Sequence, residues 1–356
     1  MSYNGAHIRK LVWSISNRLR GAATPDEIYP LIYLARTALD AGKTGDARKA
    51  MEAASRGDDD IAALLRRSLD QLSASSSLDE LLHVVSSFDE EAIDEYLRNG
   101  PVTQGVFGGE ASTPEGIARL ALAVLNVKPG EKVVDLGCGQ GNFLEIVAAS
   151  CPEAALTGVE LNPTALAIAK MRSNVTKSNI SYTCEDMFRF CEDDIEYDPA
   201  DKAFSNYPWG MQTRMFARTS HYMEKVLRGQ ERYNRPFSSD WVFNRLLVDS
   251  LREGGTAVAV MSNGACFNGM DRPVREYFAK NGFIKAMVAL PKGVFAPYTM
   301  IQTSLVVLCP GGSKGIRFVD ASDLGTNDRR SCSIDEEAIA TILERLGTDS
   351  EKSAFK

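Results

Sequence analysis

The chain has 356 residues, 44% hydrophobic and 24% charged, with a formal net charge of −7. That length accommodates one large domain and a smaller one, and the composition is that of an ordered chain. The acidic balance argues against unaided gripping of duplex nucleic acid, whose phosphates demand a basic face, and no apolar run approaches the roughly 20 residues of a membrane span. The seven cysteines are odd in number, scattered, and never in a C-x-x-C pair, and only three histidines occur. Neither a zinc site nor a disulfide framework is expected, so no metal is assigned. The N-terminus lacks the apolar core of a signal peptide, and a reducing cytoplasm is the expected compartment.

Residues 1–100 read as a helical N-terminal domain. Ile8, Leu11, Val12, Ile15 and Leu19 form one apolar stripe at helical spacing. Thr24-Pro25-Asp26-Glu27 and Ser77-Leu78-Asp79-Glu80 are capping boxes, the first with proline at the first helical position. No chemistry is visible there, and the expected role is docking a partner or covering a catalytic domain.

From 101 to 356 the texture changes to alternating strands and helices. Strands are expected at 132–136, 155–160, 179–183, 201–205, 256–262, 284–290 and 302–308, with a short one at 316–320 and a closing helix near 334–346. The first five are separated by helical or long connections, the signature of a mostly parallel α/β sheet. Between the sixth and seventh lies only a loop, which predicts an antiparallel hairpin at the sheet edge.

Two motifs carry chemistry. The first, Asp135-Leu136-Gly137-Cys138-Gly139-Gln140-Gly141-Asn142-Phe143, follows the first expected strand. Its glycines let the backbone turn sharply beside a ligand, and Asn142 opens a helix. A dinucleotide fold wants G-x-G-x-x-G and an anion at that helix end. Here the third glycine comes one residue early, and Asp135 would repel pyrophosphate but suits the ammonium of a methionine moiety. Glu160 closes the second strand, placed to accept the ribose hydroxyls. Asp186, after the third, is placed to accept an adenine amino group, with Met187 and Phe188 against the ring. Acids at three successive strand ends point to an S-adenosylmethionine site on a Rossmann-like sheet.

The second motif is Asn206-Tyr207-Pro208-Trp209, after the fourth strand. An exocyclic amine delocalises its lone pair into the ring. A methylating enzyme must therefore accept its N–H bonds, so that the nitrogen pyramidalises. Asn206 offers a side-chain oxygen. Pro208 holds Tyr207 extended, aiming its backbone carbonyl at the second proton. Trp209 offers a face for the base, worth about 1–3 kcal/mol. No strong base is needed. The basic run Arg214, Arg218, Lys225, Arg228, Arg232 and Arg235 follows, and Arg214, Arg218, Arg228 and Arg232 are the expected phosphate contacts.

With both motifs placed, residues 105–345 resemble the N6-adenine DNA methyltransferases, and most closely the modification (M) subunit of type I restriction–modification systems. The likeness rests on Gly109–Ile117, Asp135–Leu144, Asn206–Gly210, Trp241–Leu247 with Gly254–Ser262, and Leu290–Phe295 leading to Thr303. It implies that Ser112, Thr113 and Pro114 line the methionine end of S-adenosylmethionine. It also implies that Gln140, Gly141 and Asn142 contact the cofactor through backbone, with Phe143 and Leu161 beside it. Glu160 would hold the ribose, and Asn206 to Trp209 would be the catalytic tetrapeptide. The implied partners are DNA, a specificity subunit that reads its sequence, the system's restriction subunit and a second M subunit. The target adenine must be flipped out of the duplex at a cost of a few kcal/mol. The tetrapeptide in this family usually reads Asn-Pro-Pro-Phe/Tyr, so Tyr207 and Trp209 are departures. Two alternatives stay open: methylation of a protein glutamine or an RNA base, and a catalytically silent assembly subunit that keeps the fold.

Overall fold

The structure is a computed structural model, and it describes residues 10, 12–15, 25–42, 46–73, 78–101, 112–190, 198–211, 224–226, 237–328 and 331–347. The chain divides into two units. The first contains residues 1–106, 139–141 and 162–178, and the second contains 107–138, 142–161 and 179–356.

The first unit is helical. Its elements are α1 (Pro25–Asp40), α2 (Ala47–Ser55), α3 (Asp59–Ser73), α4 (Leu78–Ser86) and α5 (Glu90–Asn99). Asp46 and Asp89 cap α2 and α5 by accepting backbone N–H bonds that the first helical turn leaves unpaired. Helix α1 is its axis: Ile28, Tyr29, Leu31, Ile32, Tyr33 and Leu34 are all buried, on every side of the helix rather than on one stripe. Two of its tyrosines keep their hydroxyls satisfied, Tyr29 donating to Leu97 O at 2.6 Å and Tyr33 to Ala54 O at 3.1 Å. A later helix, Pro163–Thr176, belongs to this unit, with Ala167, Ile168 and Met171 in the same apolar cluster. Its Lys170 lies 2.8 Å from Asp58 and 2.6 Å from Asp60.

The second unit holds an eight-stranded sheet. In chain order its elements are α6 (Glu115–Leu125), β1 (Lys132–Leu136), α7 (Asn142–Ser150) and β2 (Ala155–Glu160). After the helix of the first unit (163–176, α8) come β3 (Ile180–Cys184), α9 (Met187–Phe190), β4 (Ala200–Ser205), α10 (Asp240–Asp249) and β5 (Leu251–Ser262). The chain then forms α11 (Asn263–Phe267), α12 (Arg272–Lys280), β6 (Ile284–Ala289), β7 (Thr303–Leu308), β8 (Arg317–Asp320), a small hairpin of β9 (Thr326–Asp328) and β10 (Ser331–Ser333), and α13 (Glu336–Leu346).

The strand order is β3-β2-β1-β4-β5-β7-β6-β8. Only β7 runs against the others: it pairs antiparallel with both β5 and β6, while β6 pairs parallel with β8. The short β6–β7 connection therefore makes an antiparallel pair as expected, but this hairpin is not the sheet edge. β8 lies outside it. β8 is short and alternating, with Phe318 71% exposed and Val319 buried, which suits a strand solvated on one face. β5 also starts earlier than expected, at Leu251.

The order reverses between β1 and β4, the crevice where open α/β sheets bind ligands at the strands' carboxyl ends. Successive strand residues face opposite sides of the sheet. On one side Val134, Leu136, Ala203, Ala257 and Ala259 join Trp241, Leu246 and Leu247 of α10 and Phe278 of α12 in the core. On the other, Phe204 stacks on Phe143 of α7 with ring centroids 4.2 Å apart. Among the described residues no helix is long and apolar enough to cross a membrane.

Candidate active site

The first motif stands where β1 and β2 finish. Asp135 is 2% exposed, and its Oδ1 has no hydrogen-bond partner among the described residues. Burial pushes its carboxyl well above the usual carboxylate range, and the neighbouring charge of Glu160 adds to the rise. A buried carboxylate without a donor is costly. A cationic ligand would remove that cost, so Asp135 fits an ammonium or sulfonium group. Glu160, also buried, ends β2. After β1 the chain folds back over β2, with Gly137 N and Cys138 N both donating to Val159 O, at 2.8 and 3.0 Å. Gly137 has a φ of +83°, which favours glycine, and the Met187 methyl lies 3.0 Å from where a Cβ would sit.

Gly139 and Gly141 also have positive φ, and no atom lies within 4 Å of a Cβ built on Gly139. Within the helical unit, Arg172 Nη1 donates to Gln140 O at 2.6 Å. Leu161 is 66% exposed just past β2. Phe143 differs in exposure: its ring is buried and stacked on Phe204. Phe188 is likewise buried, 5.2 Å from the Phe243 ring, rather than placed for an adenine. Asp186 spends Oδ1 on the Phe188 N–H at the start of α9, a local cap. Met187 remains partly buried beside Gly137.

The second motif follows β4. Because β1 and β4 are parallel neighbours with Asp135 opposite Phe204, Asn206 stands two residues beyond the register of the buried carboxylate. Ser205 Oγ donates to Leu136 O and ties the two strand ends. The Ser112–Pro114 segment, which leads into α6, joins both ends. Asn142 Nδ2 donates to Ser112 Oγ at 2.6 Å and to Thr113 O at 3.2 Å, while Asn206 Nδ2 donates to Thr113 Oγ1 at 3.1 Å. Donation from Nδ2 turns the buried Oδ1 of Asn206 the other way, as the acceptor of the pair.

Tyr207 is buried, its ring stacked on Phe243 at 4.7 Å and its hydroxyl donating to Asn244 Oδ1 at 2.8 Å. Burial, with Asp240 nearby, holds its phenol well above the usual range, so it stays neutral. Pro208 is partly buried. Trp209 is fixed by its indole N–H, which donates to Val260 O at 3.1 Å, and by the Phe295 ring standing edge-on at 4.7 Å. The loop after β4 thus carries a buried side-chain oxygen and a fixed aromatic, beside the strand that ends in the buried carboxylate.

Two residues that sequence reasoning left without a role sit beneath this loop. Asp240 is fully buried and accepts from Gly210 N at 3.2 Å, Ser262 N at 3.1 Å and Ser262 Oγ at 2.9 Å. Burial raises its carboxyl pKa, while those hydrogen bonds pull the other way. Asn244, one turn on, holds Tyr207. The signal was an acid at the first position of an apolar helix, which reads equally well as a partner for the helix dipole. Arg214, Arg218, Arg228 and Arg232 lie outside the described residues.

A family model described as N-6 DNA Methylase matches residues 91–356. Over 241 residues the chain is 25% identical to the type I restriction enzyme MjaVIII methylase subunit of Methanocaldococcus jannaschii, covering 60% of this chain and 40% of that protein. It is 21% identical over 311 residues to the type I restriction enzyme MpnII methylase subunit of Mycoplasma pneumoniae, covering 78% and 57%. The chain spans about half the length of these curated relatives. Among solved structures, the type I restriction–modification methyltransferase subunit from Streptococcus thermophilus superposes with a TM-score of 0.68 at 15% identity, covering 98% of this chain and 94% of that one.

Proposed function

The chain belongs to the N-6 DNA methylase family, and from that membership we propose that it is an adenine-N6 DNA methyltransferase, the modification subunit of a type I restriction–modification system. The observation that carries the reading is the pairing of β1 with β4, which sets the buried carboxylate of Asp135 and the amide of Asn206 at neighbouring strand ends. One is built for a cation and the other for an N–H donor.

The proposed donor is S-adenosylmethionine, which supplies an electrophilic methyl group on a sulfonium. Asp135 would accept from its ammonium, Glu160 from its ribose hydroxyls, and Gly137 to Asn142 would approach it through backbone. Thr113 orients the Asn206 amide. Asn206 Oδ1 and the Tyr207 carbonyl would accept the two N–H bonds of a flipped adenine, and Trp209 would hold its face. This is catalysis by position and fixed dipoles rather than by a strong base.

In this reading residues 101–356 carry the chemistry and the helical residues 1–100 dock a partner. Arg214, Arg218, Arg228 and Arg232 would meet phosphates once a specificity subunit, a second modification subunit and the restriction subunit bring DNA to the site. Deleting the gene in its own cells tests the reading. N6-methyladenine should vanish from one set of chromosomal sequences and return with the wild-type gene; an unchanged chromosomal pattern would contradict it.

A further inference from the structure

Helix α10 touches the acceptor loop at two points, four residues apart. Asp240 and Asn244 lie one turn apart on the same face of the helix, and both are fully buried. Asp240 Oδ2 accepts from Gly210 N, the residue after Trp209, and Asn244 Oδ1 accepts from the hydroxyl of Tyr207, the residue after Asn206. The same two side chains reach the last residues of β5. Asp240 Oδ1 takes both the N–H and the hydroxyl of Ser262, and Asn244 Nδ2 faces Met261 Sδ at 3.4 Å. The residue before these, Val260, accepts the indole N–H of Trp209. Three consecutive residues of a central strand are thus fastened to the loop, two of them through α10.

The chemistry of the loop explains why such fastening matters. Two acceptors must meet two N–H bonds of one amine at hydrogen-bond length, and one of those acceptors is the Tyr207 backbone carbonyl. A backbone carbonyl goes where its residue goes. Tyr207 is anchored at the far end of its ring by Asn244, and the ring is flattened on Phe243. Gly210, exposed and with a φ of +72°, has no side chain to fix it; Asp240 does so through the backbone N–H.

We infer that α10 is a two-point clamp, in which Asp240 and Asn244 are positioning residues that set the acceptor loop for methyl transfer. The inference rests on the function proposed above. Asp240 is suited to the task because a carboxylate has only acceptors to offer and here meets three donors. An asparagine there would turn its NH2 on either Gly210 or Ser262, both of which donate N–H.

The test uses the full chain, tagged and purified from its own cells with the subunits it carries. The substrate is chromosomal DNA from cells lacking the gene, with tritiated S-adenosylmethionine. Tyr207→Phe removes one hydroxyl and should lower kcat roughly tenfold, the effect of one lost hydrogen bond. Asp240→Asn should lower it about 100-fold, the scale of a misplacement near 1 Å. In both, the Kd for S-adenosylmethionine should stay within about twofold of wild type, which separates loss of position from loss of fold. Tyr207→Phe combined with Asn244→Ala should be no worse than the more damaging single variant, since both break one bond. If Asp240→Asn unfolds the chain, Tyr207→Phe decides. Wild-type kcat in Tyr207→Phe and in any folded Asp240→Asn would overturn the clamp while leaving the function standing. A wild-type assembly that transfers no methyl group to this DNA would overturn the function and the clamp with it.

Discussion

Thr113 Oγ1 lies 3.1 Å from Asn206 Nδ2, across 93 residues of sequence, and the Thr113 backbone carbonyl is held in turn by Asn142 at the start of α7. The Asn206 amide and the start of α7 are therefore fastened to one short segment. Thr113→Val should keep the methyl on Cβ and replace the hydroxyl by a second methyl, freeing the Asn206 amide to rotate. Steady-state assays of the assembly should show kcat down by about tenfold, close to 1.4 kcal/mol. Thr113→Ser, which keeps the hydroxyl, should retain most of the turnover.

Asp135 stores a cost in the ligand-free protein. Its folded pKa is raised above the unfolded value, so its contribution to stability is fully present below about pH 3.8 and is lost as pH rises towards the folded pKa. Asp135→Asn should remove that loss. Thermal unfolding near neutral pH should shift up by roughly 2–6 °C, for about 1–3 kcal/mol of relieved burial, and the gain should shrink towards pH 4. The same variant should bind S-adenosylmethionine about ten- to a hundredfold more weakly by calorimetry, because the charge-assisted bond is gone.

The same raised pKa gives donor binding a pH dependence. A cationic ligand favours the ionised carboxylate, so affinity should climb with pH through the folded pKa of Asp135, and binding should release protons. Calorimetry in two buffers of different ionisation enthalpy measures that release. It should fall away in Asp135→Asn.

Gly158, in the middle of β2, is a packing requirement. A Cβ there would sit 2.8 Å from Tyr182, 2.9 Å from Cys138 and 2.9 Å from Leu144. Gly158→Ala should destabilise the chain by about 1–3 kcal/mol through overpacking, read as a lower midpoint in urea. Because Cys138 belongs to the donor loop, donor affinity should fall too.

Most of the sheet was legible because its strands are short buried runs bounded by turns, and the missing crossover between β6 and β7 betrayed an antiparallel pair. What covers that pair was not legible. A four-residue strand such as Arg317–Asp320 carries too little pattern to say which neighbour it takes. At the candidate site, the position of Asp135, Glu160 and Asn206 at or just past strand ends was legible, since the buried runs before them mark the strands. Phe143 adjoins the glycines in sequence, and on its helix it is buried together with Leu144 and Val147. Asp240 and Asn244 escaped because their partners, Gly210 and Tyr207, are 30 and 37 residues away, and only the fold brings them together.

Asn206 is the residue on which the proposed methyl transfer depends most. Turnover of Asn206→Ala should be measured with the chain in its native assembly, on saturating unmethylated chromosomal DNA, beside its affinity for S-adenosylmethionine. Methyl transfer should fall below about a thousandth of wild type, as for loss of a principal transition-state contact, with donor affinity unchanged within about twofold. Wild-type turnover in this variant would contradict the role proposed for Asn206.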